Sequence, residues 1–144
     1  MKKLIPTFLL WGASLFGDVT PNVDHNTPAW ADNSDIEVAR VIMGEARGES
    51  LLGQNMVSDV IHTRMVQRNK TSYEVVTEPN QFEGYYDGPV TDHVWSLVLK
   101  LKLGLDIIKD AEFDQFRAYK ISPMPEWGVE PAVIGNHVFF REAK

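Results

Sequence analysis

The chain has 144 residues, enough for one domain with a single core and too few for two. Its net charge is −6, with 20 acids against 14 bases and no basic block, which argues against nucleic acid as a partner. It has no cysteine, so disulfides, thiolate catalysis and cysteine-ligated metals are excluded.

Lys2 and Lys3 precede an apolar run, residues 4–17, of about the length of a signal-peptide core. The run is too short for a secure membrane span. Residues 1–17 therefore read as a leader for export to the periplasm or cell envelope. The other reading is a retained apolar segment that contacts a membrane, the domain or an assembly partner. Residues 18–33 carry Pro21 and Pro28 with no apolar period and read as a linker, from which Trp30 staples onto the first helix. The domain proper is expected over 34–144.

Ser34 and Glu37 form a capping-box pattern, and Ile36, Ala39, Ile42 and Met43 recur at helical spacing. This predicts a helix from about Ser34 to Gly44. Beyond Gly48 a second periodic set begins, Leu52, Met56, Val57, Val60, Ile61 and Met65, before a polar loop at 67–70. The break between them reads Gly44-Glu45-Ala46-Arg47-Gly48-Glu49. A carboxyl at the buried end of a helix is partly desolvated, which favours its protonated form, as a general acid near neutral pH requires. Glu45 is the candidate for that role. Taken alone, the six residues fit equally a Glu45–Arg47 surface ion pair and a Glu49 placed to favour a helix N-terminus.

Thr71 and Glu74 mark a second capping box and a short helix through Val76, stopped by Pro79. The segment 80–89 is a loop dense in aromatics and amides, including Gln81, Phe82 and Tyr85, a composition suited to sugar rings with one apolar face and a polar rim. Phe82 could equally plug the core. Thr91 caps the strongest helix, whose stripe runs Val94, Leu97, Val98, Leu101, Leu105 and Ile108. Arg117 to Ile121 and Val133 to Phe140 flank a Pro/Gly-rich stretch carrying Trp127 and could pair as a small antiparallel ribbon. The fold class is thus mainly α (α+β).

No pair among the four histidines has the i, i+4 spacing of a helical zinc pair and no acid–histidine cluster resembles a metal box, so no metal site is expected; the nucleophile-elbow and phosphate-loop glycine patterns are absent too, which sets aside serine hydrolase and nucleotide-binding readings. His137 beside Asn136 fits either an active-site hydrogen-bonder or a satisfied histidine on the end strand. What remains is carboxylate chemistry. Two-acid glycosidases hold their carboxyl groups roughly 5–9.5 Å apart. Glu45 and Glu49 reach that range only if the helix continues through Gly48.

The block 44–49, Gly53-Gln54, the series Val57, Val60, Ile61, His62, Thr63 and Arg64, then Gln81-Phe82-Glu83-Gly84-Tyr85 and Ile134 to Phe140 together resemble the SleB/CwlJ-type cell-wall hydrolases over residues 34–141. The resemblance implies a lysozyme-like helical fold related to lytic transglycosylases. It also implies cleavage of the N-acetylmuramic acid to N-acetylglucosamine β-1,4 bond of peptidoglycan without a cofactor. Glu45 maps onto the family's acid/base glutamate. Glu49, Gln81, Phe82, Tyr85 and His137 are the candidates for holding the glycan, with Arg47, Arg64 and Asn136 as structural support. Where the family has asparagine before the arginine of the second helix, this chain has Thr63. The setting implied is a bacterial envelope enzyme or a phage lysis or virion protein. The rival is a non-catalytic glycan-binding or phage virion structural protein retaining the fold, in which loss of Glu45 would be expected.

Overall fold

The structure, a computed structural model, describes residues 26–108, 113–118 and 124–143. The expected leader, the first half of the expected linker and residues 119–121 of the expected ribbon lie outside them. Among the described residues the order is α1 (Asn33–Ala46), α2 (Leu51–Arg68), α3 (Ser72–Val76), α4 (Asp92–Lys102), β1 (Gln115–Ala118), β2 (Gly128–Ile134) and β3 (His137–Glu142).

Asp32, not Ser34, caps α1. Its carboxylate accepts from Asp35 N at 3.0 Å, and the Asp35 carboxylate accepts from Asp32 N at 2.9 Å. This reciprocal box closes two residues ahead of the Ser34–Glu37 pattern, so the helix begins inside the expected linker. At its other end α1 passes Gly44 and places Glu45 in its last turn. Ser50 caps α2 by accepting from Gly53 N. That helix continues into the expected 67–70 loop and stops where Asn69 turns left-handed, φ 52°. Thr71 and Thr91 cap α3 and α4 as read. The stripe of α4 ends early: the helix stops at Lys102, Gly104 takes φ +69°, and Leu105 is 51% exposed. Ile108 packs in a second cluster instead.

The main core joins Val38, Ala39 and Ile42 of α1, Ile61 of α2, Val75 and Val76 of α3, and Val94, Trp95, Val98 and Leu101 of α4. Trp30 packs edge-on against Trp95, ring centres 6.0 Å apart, closing the cluster from outside α1. The second cluster, Ala46, Met56, Val57, Val60 and Phe139, ties the α1 end and α2 to the sheet.

The expected two-stranded ribbon is a three-stranded antiparallel sheet of order β1-β3-β2. The run 133–140 is broken by the turn Gly135-Asn136, where Gly135 adopts φ +57°, and its first part belongs to β2. Pro131 made that segment look like a loop. It is accommodated because β2 is an edge strand with an irregular register between Val129 and Ala132. Central β3 is buried from His137 to Phe140, and its start lies opposite Ala118 of β1 and Ile134 of β2.

Candidate active site

The site is assembled where the end of α1, the 80–88 loop, α2 and the sheet meet. The loop lies directly on α1 because two glycines face each other. A Cβ on Gly44 would sit 2.1 Å from Tyr85 N, and one on Gly84 would sit 2.4 Å from the Gly44 carbonyl carbon. Tyr86 N donates to Arg40 O at 3.1 Å and pins the loop along the helix. This approach aims two backbone amides at Glu45. Glu83 N donates to Glu45 Oε2 at 2.8 Å, and Gly84 N donates to the same oxygen. Oε1 makes no hydrogen bond with any described residue. Glu45 is half-buried, as expected of a partly desolvated carboxyl at a helix end, and the groups that contact it are hydrogen-bonding backbone amides. The physical reason is that the loop presents backbone, not side chains, to the carboxyl.

Beside Glu45 runs a groove of about 580 Å³ lined by Glu45, Arg64, Asn80, Gln81, Glu83, Gln115, Phe116, Arg117, Ala118 and His137. Its inner wall is organised by Arg64, a buried cation on α2. Arg64 Nε donates to Asp114 O at 2.8 Å, Nη1 to Gln81 Oε1 at 3.2 Å and Nη2 to Gln115 Oε1 at 3.4 Å. Burial, with Arg68 nearby, pushes its guanidinium down to about 10, so it stays charged at neutral pH. Arg64 thus joins the loop to β1, held by partners other than the residue at Thr63.

The sequence-predicted residues do not all meet here. Gln81, Arg64 and His137 line the groove with Glu45. Glu49 does not. The helix ends at Ala46 and Glu49 N donates back to Ala46 O at 2.9 Å, so Glu45 and Glu49 are not neighbours on one helical face. The Glu49 side chain, 7% exposed, is buried behind the turn before β3. Its Oε1 accepts from Asn136 N and its Oε2 from Asn136 Nδ2, both at 3.1 Å. Phe82 packs against the main core, tilted on Phe116 at 6.1 Å and stacked under the Arg64 guanidinium at 5.2 Å. The Tyr85 hydroxyl lies over α1, donating to Glu37 Oε1 at 3.0 Å and accepting from Arg40 Nη1 at 3.1 Å. Arg47 sits on the Tyr86 ring at 4.5 Å.

Asn80, Glu83, Gln115, Phe116, Arg117 and Ala118 also line the groove, and none of them is among the site residues expected from sequence. Asn80 and Glu83 belong to the loop whose composition pointed to sugar. Gln115 and Phe116 sit at the start of a strand too short to show a period, and no local signal marks them.

No family model and no curated protein matches the chain. Two solved structures do. The catalytic domain of the germination-specific lytic transglycosylase SleB from Bacillus anthracis is 24% identical with a TM-score of 0.56, the alignment covering 80% of this chain and 100% of that one. The catalytic domain of the Bacillus cereus SleB protein is 25% identical with a TM-score of 0.60, covering 82% of this chain and 98% of that one. The helical domain with its small C-terminal antiparallel sheet is the lysozyme-like fold of these catalytic domains, and the SleB-like resemblance read from the motifs holds across most of the chain.

Proposed function

With a SleB-like fold as the premise, we propose that this chain is a peptidoglycan-degrading glycosidase that cleaves the N-acetylmuramic acid to N-acetylglucosamine β-1,4 bond by lytic transglycosylation. The observation that carries the reading is the Glu45 carboxyl: it borders the groove and is anchored through one oxygen by two backbone amides. An acid held this way keeps its orientation while the other oxygen is left for substrate. Glu49 is taken up by Asn136, so the pair needed for a Glu45–Glu49 two-carboxylate mechanism is missing.

One carboxyl suffices if the substrate supplies its own nucleophile. Protonated Glu45 gives its proton to the glycosidic oxygen as the C1–O bond breaks. The acetamido carbonyl of the muramoyl residue stabilises the oxocarbenium-like centre, the substrate-assisted variant of glycoside cleavage. Glu45, now a carboxylate, takes the proton of the muramoyl C6 hydroxyl while O6 bonds to C1. The products are a 1,6-anhydro sugar end and a free N-acetylglucosamine end, and Glu45 is protonated again. No water is consumed. Gln81 and His137 line the path of the glycan, and Arg64 holds Gln81 and Gln115 in place. Such a substrate lies outside the cytoplasmic membrane, which fits export by the apolar segment at 4–17.

The test is digestion of purified sacculi by the wild type and by Glu45→Gln, with product masses read out. Muropeptides lighter by one water than the hydrolytic products are expected from the wild type and none from the variant. A folded wild type that releases no soluble glycan would overturn the reading, and reducing ends in place of anhydro ends would replace transglycosylation by hydrolysis.

A further inference from the structure

The carboxylate of Glu49 has a third neighbour besides the two donors of Asn136. His137 Nδ1 lies 3.7 Å from Glu49 Oε2, is buried, and has no hydrogen-bond partner among the described residues. That separation is longer than a hydrogen bond but within ion-pair reach. The seat is closely built: a Cβ on Gly135 would fall 2.0 Å from Glu49 Oε1, and one on Gly53 would fall 2.8 Å from Glu49 Cβ. Glycine at both places is what lets the carboxylate lie against the turn.

Two protonation patterns are open to a neutral imidazole, and the surroundings choose between them. A buried N–H facing a carboxylate oxygen is attracted to it; a buried bare lone pair facing the same oxygen is repelled. The proton therefore belongs on Nδ1. The ring stands edge-on to Phe116 at 5.2 Å and beside Phe139 at 5.8 Å, so it is clamped in one plane. It lines the groove that Glu45 borders, and of its two nitrogens it is Nδ1 that is sealed off. With Nδ1 protonated, Nε2 carries the lone pair.

We infer that Glu49 is a positioning residue: it fixes His137 as the Nδ1–H tautomer and so presents Nε2 to the groove as a hydrogen-bond acceptor for a hydroxyl or amide N–H of the glycan. The inference rests on the reading of the groove as a polysaccharide site. It gives the second glutamate of the 44–49 block a function through His137, not on the substrate. Neither residue takes part in bond making; the proton inventory of the reaction stays with Glu45.

The experiment reads the tautomer directly, by ring nitrogen chemical shifts and ring N–H couplings of the ¹⁵N-labelled full chain at neutral pH, the His137 signals assigned by their loss in His137→Gln. The wild type is expected as Nδ1–H. Glu49→Gln, which turns an amide N–H₂ toward one of the former donors, is expected to move the population toward Nε2–H, and Glu49→Asp to restore Nδ1–H in part. A wild-type ring in the Nε2–H or doubly protonated form overturns the inference, and this measurement needs no variant at position 49 to fold. So does a folded Glu49→Gln with an unchanged tautomer. On sacculi, Glu49→Gln and His137→Ala should each lower kcat/KM by roughly tenfold, the scale of one hydrogen bond. The double variant should be no worse than His137→Ala alone; losses that multiply would mean that Glu49 acts only by holding the turn. A wild type without turnover but with the Nδ1–H tautomer and its switch would sink the glycosidase reading while leaving the Glu49–His137 pairing in place.

Discussion

Glu45 and Glu49 are four positions apart in one short block, and the fold treats them oppositely. Glu45 closes a helix, borders the groove and is anchored through a single oxygen by the amides of Glu83 and Gly84. Glu49 lies past the helix end, faces the hairpin turn before β3, and has both oxygens occupied by Asn136. One carboxylate keeps a free oxygen at the surface of a cavity; the other has none to offer and is shut away. The difference comes from what each meets. The loop brings backbone N–H groups to Glu45 from one side only, whereas the turn closes around Glu49 with a backbone amide, a side-chain amide and a histidine ring. A carboxylate left with open valence is available for chemistry, and one enclosed by donors can only position what surrounds it.

Substitutions can break this contrast, and the largest effect is expected at the open carboxylate. Glu45→Gln keeps the size of the side chain and removes its proton exchange, so turnover on sacculi should fall by roughly 10²- to 10⁴-fold with little change in melting temperature. Glu49→Ala should show the reverse order of losses. It removes a buried acceptor from under an exposed turn, where Asn136 supplies both donors, and denaturant titration should report a loss of about 2 kcal/mol. If Glu49→Ala proved as stable as wild type, the claim that it supports the turn would be wrong.

A buried acid outside the site sharpens the contrast. Asp59 on α2 is 2% exposed and its Oδ2 has no hydrogen-bond partner among the described residues. Burial pushes its carboxyl up to about 6 from an ordinary 3.8, partly offset by the backbone N–H groups of Ile108 and Phe113 and by His62. The folded chain therefore binds this proton more tightly than the unfolded chain does. Its contribution to stability is fully present below about pH 4 and is lost as pH rises through about 6, by on the order of 3 kcal/mol at most. Thermal melts of Asp59→Asn between pH 4 and 7 should show this dependence flattened relative to wild type; an unchanged profile would place the dependence elsewhere. The smallest effect is expected from Gly84→Ala. Its Cβ must displace backbone at 2.4 Å, which should cost about 1–2 kcal/mol and move both amides off Glu45. Activity should drop more than the melting temperature suggests, by roughly tenfold for the lost hydrogen bonds.

Much of the scaffold could be read from local pattern. The helices starting after Thr71 and Thr91 are announced by capping residues, which act over three or four positions, and α2 by its apolar period alone. Where two caps compete within a few residues, as Asp32 and Ser34 do, local pattern cannot rank them, because the outcome depends on which side chains close a reciprocal box. The third strand was missed for a related reason: Pro131 reads as loop until the edge position and irregular register of β2 are known. In the site, Glu45, Gln81, Arg64 and His137 were legible as motif members. Tyr85 and Phe82 were equally prominent in the sequence, yet one lies over α1 and the other in the core. Gln115 and Phe116 had no mark at all, and Arg117 was marked only as strand.

The sequence by itself determined the helical core, the positions of two caps, the absence of thiol chemistry and the likeness to one class of wall-degrading domain, all of which rest on residue types and on spacings of a few positions. Only the tertiary structure decided which of two glutamates faces a cavity and which supports a turn. That choice depends on the loop at 80–88 and the turn at 135–136 arriving from distant parts of the chain, and the hydrogen-bond donors they carry are backbone amides that no residue type announces.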